Sequence, residues 1–192
     1  MSNIVNITRI NTHITIKSPY NSVFVQYAKK LAGKFCGTTK SWSFDIRDEA
    51  DVLSACYLAY GEDGVRSNKC DVQITLPTVY YVKQGTIIFF GRPVARAFDR
   101  DSGAKLFDGV VIKSGNFTSG GSSKDWDTRS EAGTVIVLRD VSRPLVERDI
   151  EQKTYGNAII EILDTTPSRT LLEQEREQIL TRLAELNIAL GI

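Results

Sequence analysis

The hydrophobic period of this chain changes abruptly at Ser18-Pro19, and that change constrains the fold of its first third more than any other feature. Before it, Ile14 and Ile16 alternate with His13, Thr15 and Lys17, the period of a half-buried strand. After it, Phe24, Tyr27, Ala28 and Leu31 fall at i, i+3, i+4 and i+7, one apolar stripe of an amphipathic helix. Proline enforces the break, because it lacks a ladder donor and restricts the residue before it. Asn21 or Ser22 can cap the helix, Gly33 is expected as its C-cap, and Lys29, Lys30 and Lys34 lie where cations complement the dipole. Phe35 opens a short strand, Gly37 to Lys40 turn, and Trp42 and Phe44 share one face of a second strand. A second helix then starts at Asp45 to Glu49, turns Val52, Leu53, Cys56 and Tyr60 inward, and stops at Gly61. Residues 1–61 are thus expected to form a β-α-β-β-α unit.

Pro19-Tyr20, Phe24, Ala28-Lys29, Leu31, Gly33-Lys34-Phe35, Lys40, Trp42, Phe44-Asp45 and Asp48-Glu49 together resemble the HARP module of annealing helicases. That module sits beside a helicase motor and contributes to binding branched or partly single-stranded DNA. The resemblance covers residues 13–61 and no motor follows, so what it implies here is DNA binding rather than strand annealing.

Charge gives a separate line of argument. Residues 1–44 contain Arg9, Lys17, Lys29, Lys30, Lys34 and Lys40 and no acidic residue, whereas 45–64 contain Asp45, Asp48, Glu49, Asp51, Glu62 and Asp63 against Arg47 alone. A basic surface interleaved with Tyr20, Tyr27, Phe35 and Trp42 suits nucleic acid, since lysines attract phosphates and aromatic faces stack on bases, and Lys17, Tyr20, Lys29, Lys30, Lys34, Lys40 and Trp42 are the candidate contacts. A solvated lysine face over an aromatic core accounts for the same residues. The acidic run is explained by its place at a helix N-terminus. A net charge of +1 excludes a generally basic coat, so any binding patch is local.

Other classes find little support. His13 is the sole histidine, no nucleophile has an evident base, and neither a Walker A motif nor metal-ligand spacing occurs. A non-enzymatic protein without cofactor is expected. Cys36, Cys56 and Cys70 have no paired spacing and suit reduced thiols in a cytoplasm. The N-terminus lacks the apolar core of a signal peptide, and no run reaches the length of a membrane span.

Beyond a polar linker at 62–69 the texture turns to β. Val72, Ile74 and Leu76 alternate, and Thr86–Phe90, Val94–Phe98, Val110–Ile112 and Thr134–Leu138 supply further strands. Their spacing points to a small barrel or sandwich-like domain over 70–166. Asp99 to Gly103 has alternating acids but not the ligand pattern of a calcium loop, and reads as an Asx-rich turn. Ser114 to Arg129 reads as a long glycine-serine loop presenting Phe117, Lys124, Trp126 and Arg129, the last three as a second nucleic-acid surface. Arg92, Arg96 and Arg100 are spaced to face one side of a strand, where they form either a basic strip or a solubilising face.

Residues 145–166 are ambiguous apart from a strand at Ala158–Leu163. From 167 to 192 an amphipathic helix is expected, with Leu172, Ile179 and Leu186 seven apart and Leu183 and Leu190 completing a seam interrupted by Arg176. Such a helix either dimerises or lies on its own core, and its well-separated polar face favours a homodimer. The whole reads as an α+β chain: a DNA-binding accessory protein for single-stranded or forked DNA. A protein-binding modulator, encoded by a mobile element and directed at a host nuclease or defence complex, is the alternative.

Overall fold

The computed structural model describes residues 5–163. The N-terminal part is a four-stranded antiparallel sheet built from β1 (Asn6–Ile10), β2 (His13–Lys17), β3 (Lys34–Cys36) and β4 (Ser41–Asp45), in the order β1-β2-β4-β3. Helices α1 (Ser22–Lys30) and α2 (Glu49–Tyr60) cover one face. Cross-strand register explains the core: Ile14 stands opposite Phe44 and Ile16 opposite Trp42, so all four share the covered face. Phe24 and Ala28 of α1 and Val52, Cys56 and Ala59 of α2 close on them. Each large side chain buried here contributes roughly 1.5–3 kcal/mol.

Two details depart from expectation. β1 is an additional strand; as an exposed edge it carries little of the alternation that marks a buried one. The left-handed residue ending α1 is Ala32, at φ +53°, not Gly33. Gly33 is required for another reason, since a β-carbon there would collide with the Phe44 ring. Gly61 does end α2 in the left-handed conformation, its N–H donating to Tyr57 O.

The remaining strands are β5 (Lys69–Leu76), β6 (Tyr81–Lys83), β7 (Thr86–Phe89), β8 (Arg92–Ala97), β9 (Ala104–Leu106), β10 (Val110–Ser114), β11 (Phe117–Gly121), β12 (Trp126–Ser130), β13 (Thr134–Ser142) and β14 (Ile159–Leu163). They form antiparallel sheets ordered β10-β13-β5-β14, β11-β12-β6 and β7-β8-β9. Of the barrel or sandwich-like domain expected over 70–166, a closed barrel is not seen: three antiparallel sheets wrap a shared core of Val72, Ile74, Leu76, Phe89, Ile136 and Leu138, and none closes on itself. A helix not read from the sequence, α3 (Arg143–Glu151), follows β13. Ser142 caps it and Pro144 sits in its first turn, with Leu145 and Val146 turned into the core.

The two cores meet along α2. The Ser142 hydroxyl donates to Leu58 O at 2.5 Å, joining the end of α2 to the start of α3. The stretch 62–69 forms a tight turn whose carboxylates point inward. Glu62 accepts from the Val5 amide at 2.7 Å and from Lys69 Nζ at 2.5 Å, while Asp63 accepts from the Val65 and Arg66 amides. Arg66 donates to Asp63 through its guanidinium. Burial pushes the Asp63 carboxyl up, but these donors outweigh it and hold it below the ordinary range. No helix among the described residues is long and apolar enough to cross a membrane. The dimerisation seam of Leu172, Ile179, Leu183, Leu186 and Leu190 lies outside the described residues.

Candidate nucleic-acid interface

The lysines of the N-terminal unit gather where α1 ends and the β3–β4 hairpin begins. Lys29 and Lys30 are the last two residues of α1, both exposed; Lys30 Nζ stands 5.5 Å from the Tyr27 ring centre. Four residues later Lys34 opens β3, an edge strand, and faces away from the helices beside Ser43 and Thr15. Lys40 occupies the hairpin turn at φ +52°, and Lys17 ends β2 on the same open face as Lys34. None of these five lysines is in an ion pair among the described residues.

Two of the nearby acids are already engaged. Asp45 caps the short turn after β4 and takes two bonds from the Arg47 guanidinium, which with the Arg47 amide holds its carboxyl far below the usual range. Glu49 accepts from Arg9 at 2.6 Å. Of the positive charges in residues 1–44, Arg9 is thus paired, whereas the five lysines carry theirs without an ion pair among the described residues, which suits a phosphate backbone.

Aromatic side chains lie on the opposite face of the same strands. Phe35, Trp42 and Phe44 form a row, with centroid separations of 5.2 Å and 6.4 Å, leading from solvent into the core. Phe35 is its outer end and is 55% exposed, whereas Trp42 is half-buried between its neighbours. The sequence reading placed Trp42 among the contacts. Phe35, which the sequence sets with Trp42 among the aromatics interleaved with the lysines, is the member with an open ring face. Tyr20 is 61% exposed but lies beyond the other end of α1, about 13 Å of helix from Lys29 and Lys30, at 1.5 Å per residue.

The second proposed surface does not converge. Ser114 to Arg129 is mostly paired backbone, not a long loop: β11 and β12 form a hairpin from Phe117 to Ser130. Phe117 is 3% exposed and belongs to the core. Lys124 sits in the turn, where its carbonyl accepts from Gln84 Nε2 at 2.6 Å. Trp126 and Arg129 fall on opposite faces of β12, because their positions differ by an odd number. The Arg129 guanidinium forks onto Asp127, with both bonds at 2.6 Å, and this pairing holds the Asp127 carboxyl below its ordinary range.

The arginine strip also separates. Arg96 stands 5.2 Å from the Phe98 ring centre beside Lys105 at 5.8 Å; Arg92 turns to the carbonyl of Arg139; Arg100 pairs with Asp101. The Asx turn at Asp99 is present, with Asp101 and Ser102 amides donating to its carboxylate at 2.8 and 2.6 Å. Comparison with protein-family models, characterised proteins and solved structures finds no match for this chain, so the chemistry of its own residues carries the reading.

Proposed function

We propose that this chain is a non-enzymatic nucleic-acid-binding accessory protein of the cytoplasm that engages single-stranded or branched DNA through the end of its N-terminal unit. The observation that carries the reading is the set of exposed lysines Lys29, Lys30, Lys34 and Lys40, without ion pairs among the described residues, around an edge strand that exposes Phe35 on the face opposite Lys34. Lysines supply attraction to phosphates, and an open aromatic face supplies stacking that duplex DNA cannot use without unpairing. The HARP-like residues of 13–61 support the same reading, and Lys17 extends the basic surface across the open sheet face. Lys124 and Trp126 add little, and Arg129 has its charge matched within the chain. Direct binding to labelled single-stranded, forked and duplex DNA tests it: single strands and forks bind more tightly than duplex. Equal or absent binding for all three would turn attention to a protein partner.

A further inference from the structure

A cleft of about 660 Å³ opens between the N-terminal unit and the β-rich part, at the opposite end of α1 from the lysines. Its size falls within the range of sites for small organic ligands. Three kinds of chemistry line it: the aromatic side chains Tyr20 and Phe107, 61% and 38% exposed; the guanidinium-bearing Arg92 and Arg139; and the carboxylates Asp108 and Asp140.

The two arginines are under-used. Arg92 is half-buried, and its Nη1 donates to Arg139 O at 2.5 Å, a neutral acceptor. Asp140 acts on it through its field, but among the described residues Arg92 makes no ion pair. Burial opposes its charge, so an anion entering the cleft meets a cation already stripped of part of its water. Close approach of the Arg92 guanidinium is permitted by Gly109, where a β-carbon would stand 2.8 Å from Nη2. Arg139 is exposed, and no bond of its side chain is found among the described residues.

We propose that this cleft binds a nucleoside monophosphate, free or as the 5′ end of a strand. Arg92 and Arg139 hold the phosphate, Tyr20 and Phe107 take the base, and Asp108 or Asp140 accepts from sugar hydroxyls or an exocyclic amine. A bare phosphate ion leaves the aromatic walls and carboxylates unused, and an uncharged nucleoside leaves the arginines unmatched. Planar, forked donors suit phosphate oxygens.

The test is isothermal titration of the full chain with AMP, adenosine and inorganic phosphate. AMP is expected to bind at least about tenfold more tightly than either fragment, since charge-assisted and stacking contacts each carry about that factor. Arg139→Ala and Tyr20→Ala alter exposed side chains and leave the fold intact; each is expected to weaken AMP about tenfold, and Tyr20→Ala to weaken adenosine as well. Lys29→Glu/Lys30→Glu is expected to leave AMP affinity unchanged, which separates this site from the lysine surface. A 5′-phosphorylated oligonucleotide that displaces AMP identifies the strand end as a source, and one that does not leaves the free nucleotide. Absence of AMP binding at 5 mM to the folded chain, on the order of the weakest affinity worth assigning, overturns the proposal. So does wild-type AMP affinity in either cleft variant.

Discussion

The Asn21 side chain abuts Gly91 so closely that a β-carbon on Gly91 would overlap it. Asn21 Oδ1 caps α1 by accepting from the Val23 and Phe24 amides, at 2.9 and 3.2 Å. Its Nδ2 donates to Ala59 O at 3.0 Å and to Phe90 O at 3.5 Å. Gly91 O in turn accepts from the Ser22 amide at 3.0 Å. One amide thus joins α1, α2 and the β7–β8 turn, and both the lysine-bearing helix and the cleft take their positions from it.

Asn21→Ala is expected to cost about 2–3 kcal/mol, the loss of a cap plus buried carbonyls left unpaired. Asn21→Asp keeps a good cap acceptor but sets an oxygen against Ala59 O and Phe90 O in place of a donor. It is therefore expected to be at least as destabilising as alanine, although aspartate caps isolated helices well. Urea unfolding of both variants checks this; a stable Asn21→Asp protein would show that the cap alone matters.

The same turn is held from its other side. Phe90 and Gly91 have φ of +50° and +73° and connect paired Phe89 and Arg92, the left-handed pair that a two-residue hairpin needs. A phenylalanine in that conformation is costly. The Tyr155 hydroxyl accepts from the Phe90 amide at 2.6 Å and donates to the buried Asp149 at 2.7 Å. Tyr155→Phe keeps the ring contacts with Phe89 and Phe90 but leaves the Phe90 amide unpaired, for an expected loss of about 1–3 kcal/mol in denaturant unfolding. Wild-type stability in this variant would remove the hydroxyl from the account.

Asp127 gives the stability a pH dependence. Arg129 depresses its folded pKa, so the pair's contribution is present above the unfolded value of about 3.9 and is lost as pH falls through the lower folded value. Asp127→Asn is expected to be less stable than wild type at pH 7, with the gap narrowing as pH falls below 4, a bound of about the unfolded pKa. A gap that stays constant from neutral to acid conditions would contradict the assignment.

Much of the N-terminal unit was legible because its signals are local. The strand at Ile14 and Ile16, the Asn21 cap, the stripe of Phe24 and Ala28, and the stop at Gly61 each follow from neighbours in sequence. α3 was not legible: its nine residues carry two positive and three negative charges and a proline, and tertiary burial of Leu145 and Val146 adds what the local cap at Ser142 alone does not signal. Glycines and serines at 119–122 read as a loop, yet β11 pairs along β12 because Phe117 anchors it in the core. The lysine surface was visible in composition. The cleft was not, since Tyr20, Arg92, Phe107 and Arg139 come from four distant segments.

Phe35 and Trp42 should separate binding from stability. Phe35→Ala removes a ring that is 55% exposed and is expected to weaken single-stranded DNA binding by roughly 1–3 kcal/mol with little change in unfolding. Trp42→Ala takes a half-buried ring from between Phe35 and Phe44 and is expected to lower stability by a few kcal/mol, about 3 as a guide. The reverse pattern would place the stacking face on Trp42.

The most direct measurement is fluorescence anisotropy of a labelled single strand against wild type and Lys29→Glu/Lys30→Glu at two salt concentrations. Loss of two phosphate contacts is expected to weaken binding at low salt by at least about tenfold and to reduce the slope of log affinity against log salt by about 1.4. Wild-type affinity and slope in the charge-reversed protein would contradict the lysine surface as the DNA-binding site.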